Sequence, residues 1–418
     1  MITDSRTSPA LPLSPAEVPA QAHRNGRRSL AVVGVNHALH DGYTDMIYVL
    51  LPVWQAEFGL GYVALAVLRS LYAGALAGLQ MPAAALADRF GVRAVLTLGT
   101  LLGAGGYALA GASGGLVGLC VALIVSGAGS STQHPLASAV IARAYGSAAR
   151  GPLGTYNFTG DLGKAALPPL VGFLLTQADW RPVLWLVAGG GLVVALVVAG
   201  LLPCEAASRG HTPAKRAAPG GGERMSDPTG FRLLVAIGML DNAARPAFLI
   251  YLPFLLQAKG AGLSLVGIAF ALVAVGGALG KAVFGRIGEQ IGVTRSVILT
   301  ESGTAVAILA AVLLPLAPVL VVLPLLGLML NGTSSVLYGT VPELAPGGRV
   351  ERAFAIFYTW TLGGSALATP LLYGPLGDAV GPGWATMASA ATAAAVVPLM
   401  LVLSPRLAAP STQETSTP

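Results

Sequence analysis

"LLPVWQAEFGLG", residues 50–61, and "YLPFLLQAKGAG", residues 251–262, are two versions of one segment. Pro52 answers to Pro253, Gly59 to Gly260 and Gly61 to Gly262, each 201 positions apart. The same spacing carries Asp88 to Glu289 and Gly91 to Gly292. Further along, "TYNFTGDLGKAALPPLVG" (155–172) matches "FYTWTLGGSALATPLLYG" (357–374) at a spacing of 202, through Tyr156/Tyr358, Thr159/Thr361, Pro168/Pro370 and Gly172/Gly374. A nearly constant offset over several segments is the mark of an internal duplication.

The duplicated segments are greasy. Of 418 residues, 54% are hydrophobic and only 10% charged, with 55 glycines and a mean hydropathy of +0.72. A soluble domain carries roughly 25% charged residues, so this chain lacks the polar side chains to cover itself in water. Soluble enzymes, nucleic-acid binders and disordered scaffolds are excluded. The apolar runs are continuous rather than alternating, which excludes an outer-membrane barrel. A membrane-crossing helix takes about 20 apolar residues, and the runs divide into twelve spans: 30–55, 62–86, 94–112, 115–142, 152–176, 183–203, 231–257, 263–286, 296–315, 318–341, 353–374 and 384–403.

Segments 1–29 and 405–418 read as tails, and 204–230, rich in Pro and Gly, reads as a linker. The predicted organisation is an N-terminal six-helix bundle over 30–203 and a C-terminal one over 231–404. An even number of spans per repeat gives both bundles the same membrane orientation. With both tails and the linker in the cytoplasm, 18 of the 24 Lys and Arg fall on that side, two opposite and four inside spans. That asymmetry follows the positive-inside rule. The expectation is a multi-pass protein of the bacterial inner membrane with both termini cytoplasmic. Cys120 and Cys204 sit in different runs and suggest no disulfide framework.

"ALADRFGVR", residues 85–93, resembles the loop signature of the major facilitator superfamily between its second and third spans, through Asp88, Arg89, Gly91 and Arg93. Ala84 and Val92 depart from the family pattern. "GRIGEQIGVTR", residues 285–295, keeps the equivalent Glu289, Gly292 and Arg295. "NHALHDGYTDMIYVLLP" (36–52) and "QHPLASAVIARAY" (133–145) are similar to the fosmidomycin-resistance-type branch, and "GDLGKAALPPLVG" (160–172) to a degenerate antiporter signature in which Leu167 replaces Gly. The resemblance implies an all-α protein of twelve helices in two pseudo-symmetric bundles. It implies that the third, sixth, ninth and twelfth spans face lipid while the others surround a cavity. Asp88, Arg89, Arg93 and Glu289 would form a conformational latch.

A charge at mid-bilayer costs at least about 2.5–3.5 kcal/mol on insertion scales, so each one points to function. His37, Asp41 and Asp45 recur every four residues and share one face of the first span, with Tyr48 within a turn. Two carboxylates this close favour protonation of one of them, so Asp41 and Asp45, modulated by His37, are the expected proton-coupling site. Asp161 with Lys164, and Asp241 with Arg245, are spaced for intrahelical ion pairs. Together with His134, Arg69 and Tyr48 they are the expected substrate-binding groups. Glu301, near the end of the ninth span, is expected to reach the surface. His37, His40, Asp41 and Asp45 have metal-ligand chemistry, but His40 points away from the shared face, and neither metal nor cofactor is expected.

No G-x-x-x-x-G-K-[ST] run is present, so energy should come from a gradient. The expected function is proton-coupled efflux of a small organic molecule by alternating access, in a monomer, with Na⁺ as the other candidate ion. The alternatives are proton-symport uptake of an organic anion and a polytopic membrane enzyme using the His/Asp face, which would leave the repeat unexplained.

Overall fold

The computed structural model describes residues 17–203, 227–345 and 350–407. The expected linker beyond its last few residues, and most of both tails, lie outside the described residues. Among these all regular structure is helical.

The N-terminal half comprises α1 (Glu17–Phe58), α2 (Tyr62–Gly78), α3 (Gln80–Phe90), α4 (Val92–Ala112), α5 (Leu116–Ser130), α6 (Gln133–Tyr145), α7 (Arg150–Leu174) and α8 (Trp180–Leu201). The C-terminal half comprises α9 (Pro228–Ala258), α10 (Leu263–Ile291), α11 (Val293–Leu313), α12 (Leu316–Thr340), α13 (Val350–Ala368), α14 (Gly374–Val380) and α15 (Pro382–Leu403). A π-helical turn, Thr369–Tyr373, joins α13 to α14.

With α2/α3, α5/α6 and α13/α14 each counted as one broken pass, these make twelve passes among the described residues. Eight helical stretches are long and apolar enough to cross a membrane, and α2/α3, bent by 44°, makes a ninth. The other three are α1, α7 and α13/α14. Their spanning segments are diluted by His37, His40, Asp41 and Asp45, by Asp161 and Lys164, and by the run from Tyr358 to Ser365. The charged and histidine side chains of α1 and α7 are buried or half-buried against protein, which is why those passes tolerate them.

The duplication is visible at atomic level. Gly61 caps α2 with φ −75° and ψ 168°, and Gly262 caps α10 with φ −77° and ψ 168°. Gly91 and Gly292 hold φ of 86° and 82°, backbone that side-chain-bearing residues rarely adopt. The turn bond Leu60 N–H to Gln55 O recurs as Ala261 N–H to Leu256 O. α4 and α11 both span 21 residues at an offset of 201, and α8 and α15 both span 22 at an offset of 202.

α1 begins well before the expected span because no residue between Glu17 and the apolar run breaks it, so Arg24, Arg27 and Arg28 sit on a helical extension. We call the end where α1 begins the tail side and the other end the far side. Asp227 caps α9, accepting from Gly230 N at 2.9 Å and Thr229 N at 3.1 Å, and Arg406 donates to it at 2.9–3.0 Å. The Gly230 N–H and the Arg406 guanidinium hold its carboxyl below the usual carboxylate range. This contact ties the end of the last pass to the start of the second bundle.

Leu186, Val193 and Leu196 on α8, and Val306 and Leu313 on α11, are exposed. Such a surface needs lipid against it. One buried apolar core runs through both bundles, including Trp54, Tyr48, Tyr72, Phe248, Tyr251 and Phe270.

Candidate functional site

α1 and α7 approach each other closely. A Cβ on Gly163 would collide with the Ala38 backbone, and one on Gly160 would lie 2.5 Å from the His37 ring and 2.6 Å from Asp41 Oδ2. A Cβ on Gly42 would lie 2.8 Å from Leu167, so the large residue that departs from the family pattern is met by a small one on α1. This packing delivers the α7 side chains onto the polar face of α1.

Lys164 Nζ then lies 2.8 Å from Asp41 Oδ2 and 3.9 Å from Asp161 Oδ1. His37 Nε2 is 3.5 Å from Asp41 Oδ2, and His134 Nε2 is 3.9 Å from Oδ1. His37 stacks on Tyr156 at 4.0 Å, and its Nδ1 donates to the Tyr156 carbonyl at 2.8 Å, which fixes a proton on that nitrogen. Asp41 is thus the centre of a cluster with Lys164, His37 and His134.

Asp45, one turn further along α1, has no ion-pair or hydrogen-bond partner among the described residues. It opens instead into a narrow cleft between the bundles, which it lines with Asp161, Lys164, Arg245, Phe270 and Asn331. The expected carboxylate pair therefore divides into one bound and one free member.

Asp161 pairs across the bundles. Lys281 on α10 donates to its Oδ1 at 2.6 Å, against 3.9 Å for Lys164 on its own helix. The expected self-neutralising Asp161–Lys164 pair is thus the weaker of the two contacts, because α7 and α10 pack against each other along their length. The expected Asp241–Arg245 ion pair does not form among the described residues. Asp241 instead accepts from Ser334 Oγ at 3.2 Å, while Arg245 lines the cleft.

Glu301 corrects another expectation. It lies more than two turns inside α11 and is 2% exposed, facing α12 rather than the surface. Thr333 Oγ1 donates to its Oε1 at 2.6 Å, and Thr300 and Thr333 are themselves 2.6 Å apart. The Asp241 and Glu301 carboxyls lie within hydrogen-bonding reach of each other.

Arg69 sits over the rings of Tyr48 and Tyr72, at 5.0 and 5.8 Å, and Tyr48 stacks on Phe270 of the other bundle at 5.4 Å. The Arg69 contacts lie within the first bundle, and the Tyr48–Phe270 stack carries them across the far half of the seam. His40 belongs to a separate buried network, with Ser130 Oγ at 2.9 Å and Thr100 Oγ1 at 3.3 Å. Of the groups with ligand chemistry, His37, Asp41 and His134 do converge, with one ligand-type atom each within 4.8 Å of the others. The Lys164 ammonium already occupies that side of the carboxylate, so the cluster as it stands accommodates a cation in the form of its own lysine.

Asp88 and Arg89 are exposed on the tail side, Arg93 is half-buried, and α3 packs on α2, α4 and α6 of its own bundle. Asp88 forms no ion pair among the described residues. The Glu289 side chain, the fourth expected latch group, lies outside what is described.

The far side is closed. Asp378, at the end of α14, accepts from Tyr62 N at 2.6 Å and Val63 N at 3.1 Å, capping α2 of the opposite bundle. Tyr62 also packs on Tyr251 and Phe254. His134 and Lys281, in the tail-side halves of their passes, have side chains 44% and 42% exposed. The charged seam is therefore more open toward the tail side than toward the far side.

Comparison with known proteins agrees with this architecture. The family model of the Major Facilitator Superfamily matches residues 34–369. The chain is 22% identical over 363 residues to the Fosmidomycin resistance protein of Escherichia coli (strain K12), covering 82% of this chain and 85% of that protein. It is 29% identical over 138 residues to the Multidrug resistance protein MdtH of Proteus mirabilis (strain HI4320), a match that covers 33% of this chain and 34% of that one. Among solved structures it superposes on a bacterial homologue of the human lysosomal transporter Spinster, in an inward-facing, unoccupied conformation, with a TM-score of 0.72 at 15% identity, covering 91% of this chain and 95% of that one. It superposes on a point mutant of the nucleoside transporter NupG with a TM-score of 0.73 at 11% identity, covering 91% and 99%. At these identities the structures show a shared fold.

Proposed function

Because the chain belongs to the major facilitator superfamily, and is therefore a multi-pass secondary transporter rather than an enzyme, we propose that it couples proton movement to efflux of a small organic molecule. Asp45 carries this reading. It is 9% exposed, opens into the cleft between the bundles beside Lys164 and Arg245, and forms no direct ion pair among the described residues. A carboxylate so placed gains a proton when the cleft is dry and loses it when water enters. Asp41, fixed by Lys164, positions that lysine beside Asp45 rather than cycling itself. Transport would proceed by rocking of one bundle against the other about the midplane, from an inner-membrane protein with the tail side cytoplasmic, acting as a monomer.

Two resistance proteins among the relatives support the outward direction. Arg245 supports a second reading of the cargo. It lines the cleft without an ion-paired carboxylate among the described residues, which favours an anionic group on the molecule carried, and with it proton-symport uptake as the opposite direction.

The test is flux in proteoliposomes under an imposed pH gradient, screened across cationic, zwitterionic and anionic compounds. Asp45→Asn is expected to abolish gradient-driven accumulation while leaving exchange of cargo across the membrane measurable. Full coupling in that variant would remove Asp45 from the mechanism, and transport indifferent to both pH and Na⁺ gradients would remove ion coupling altogether. A reporter fused at residue 215 is expected to read cytoplasmic.

A further inference from the structure

The seam accounts for most of the charges within the passes but leaves Asp241 and Glu301 unexplained. They sit inside the second bundle, on α9 and α11, 6% and 2% exposed. Each is met by a hydroxyl from successive residues of α12: Ser334 donates to Asp241 Oδ2 at 3.2 Å and Thr333 to Glu301 Oε1 at 2.6 Å. Two hydroxyls from one turn of α12 bring both carboxyls to the same place, and the carboxyls meet within hydrogen-bonding reach.

No cation forms an ion pair with either carboxyl among the described residues. The charged or titratable groups around them are few. Arg245 lies one turn along α9, and Tyr338 one turn along α12. α15, which packs on both α9 and α11, has no ionisable residue. Two unprotonated carboxylates at this separation in a water-poor interior repel strongly, and a carboxyl-to-carboxylate hydrogen bond exists only when one oxygen carries a hydrogen. Paired carboxyls elsewhere resolve this by sharing one proton.

We propose that Asp241 and Glu301 form a proton-binding site in the second bundle, holding one proton between them. The site is distinct from Asp45 and does not depend on transport being proton-driven. The Glu301 oxygen receives the Thr333 hydrogen bond and the Asp241 oxygen that of Ser334, so each carboxyl keeps one oxygen for the shared proton. Arg245 feels the charge of this pair through one turn of helix. Loss of the proton adds a negative charge behind Arg245 and draws the guanidinium away from the cleft it lines.

Infrared difference spectroscopy of the full-length protein in liposomes, titrated through neutral pH, tests this without assaying transport. The wild type is expected to show a protonated-carboxyl stretch that shifts in deuterium oxide. Glu301→Gln and Asp241→Asn should each remove it, while Asp45→Asn leaves it in place. Thr333→Val, which keeps both carboxyls and the packing volume, should move its frequency. Absence of such a band in the wild type near neutral pH, or its persistence in both Glu301→Gln and Asp241→Asn, overturns the site. An unchanged frequency in Thr333→Val would do the same. Failure of Asp45→Asn to uncouple transport would leave these outcomes untouched.

Discussion

Asp41 and Asp45 lie one helical turn apart, yet Lys164, His37 and His134 all meet the first and none of them pairs with the second. Lys164 has an 18% exposed side chain and Asp41 an 11% exposed one, so removing either leaves a charge stranded away from water. Truncating one partner of a buried pair costs about 3–5 kcal/mol, whereas replacing both is far milder. Lys164→Gln alone is therefore expected to lower stability by roughly that amount, and Lys164→Gln with Asp41→Asn to recover most of it. Unfolding of the purified protein by titrated denaturing detergent measures both. Equal losses in the single and double variants would mean that the two side chains do not depend on each other. The sequence placed both carboxylates on one face, but their difference depends on how α7 is rotated against α1, and no local pattern encodes that rotation.

Helices here meet backbone to backbone. Gly163 against Ala38 leaves no room for a side chain, so Gly163→Leu is expected to overpack the α1–α7 contact by well over the usual 1–3 kcal/mol, and the monodisperse fraction after extraction should collapse. The duplicated turns give a gentler test. Gly91 and Gly292 share the same left-handed backbone, so Ala at either should cost about 1–3 kcal/mol, the two losses agreeing in size. Twelve passes, the duplication and the polar face of α1 were legible because each is a periodic feature of the chain. Glu301 was not. Its distance from a helix end suggested the surface, while its actual fate was set by Thr333, a neighbour 32 residues away. The Asp161–Lys281 contact, spanning 120 residues, was hidden for the same reason. Local spacing offered Asp161 a partner on its own helix, and tertiary packing supplied a better one.

The molecule as a whole is closed at one face by the Asp378 cap together with the packing of Tyr62 on Tyr251 and Phe254. Asp378 satisfies two N–H groups at the start of α2 that Gly61, lacking a side chain, cannot. Asp378→Ala is expected to shift the conformational population toward far-side opening. Spin labels at Thr176 and Val380, placed in a cysteine-free background, should report a longer separation in the variant. An unchanged distance distribution would mean that the aromatic contacts of Tyr62 suffice to keep that face shut.

Asp378 also breaks the symmetry that the duplication would otherwise impose. Gly262, the twin of Gly61, has no carboxylate cap on its helix among the described residues. One bundle thus carries the bolt and the other the keeper, and the two are not interchangeable. Because the bolt is an exposed charge resting on a helix dipole, dissolved ions weaken it directly. The salinity of the compartment on that side is therefore felt by the doorway itself, without any change in what is being carried.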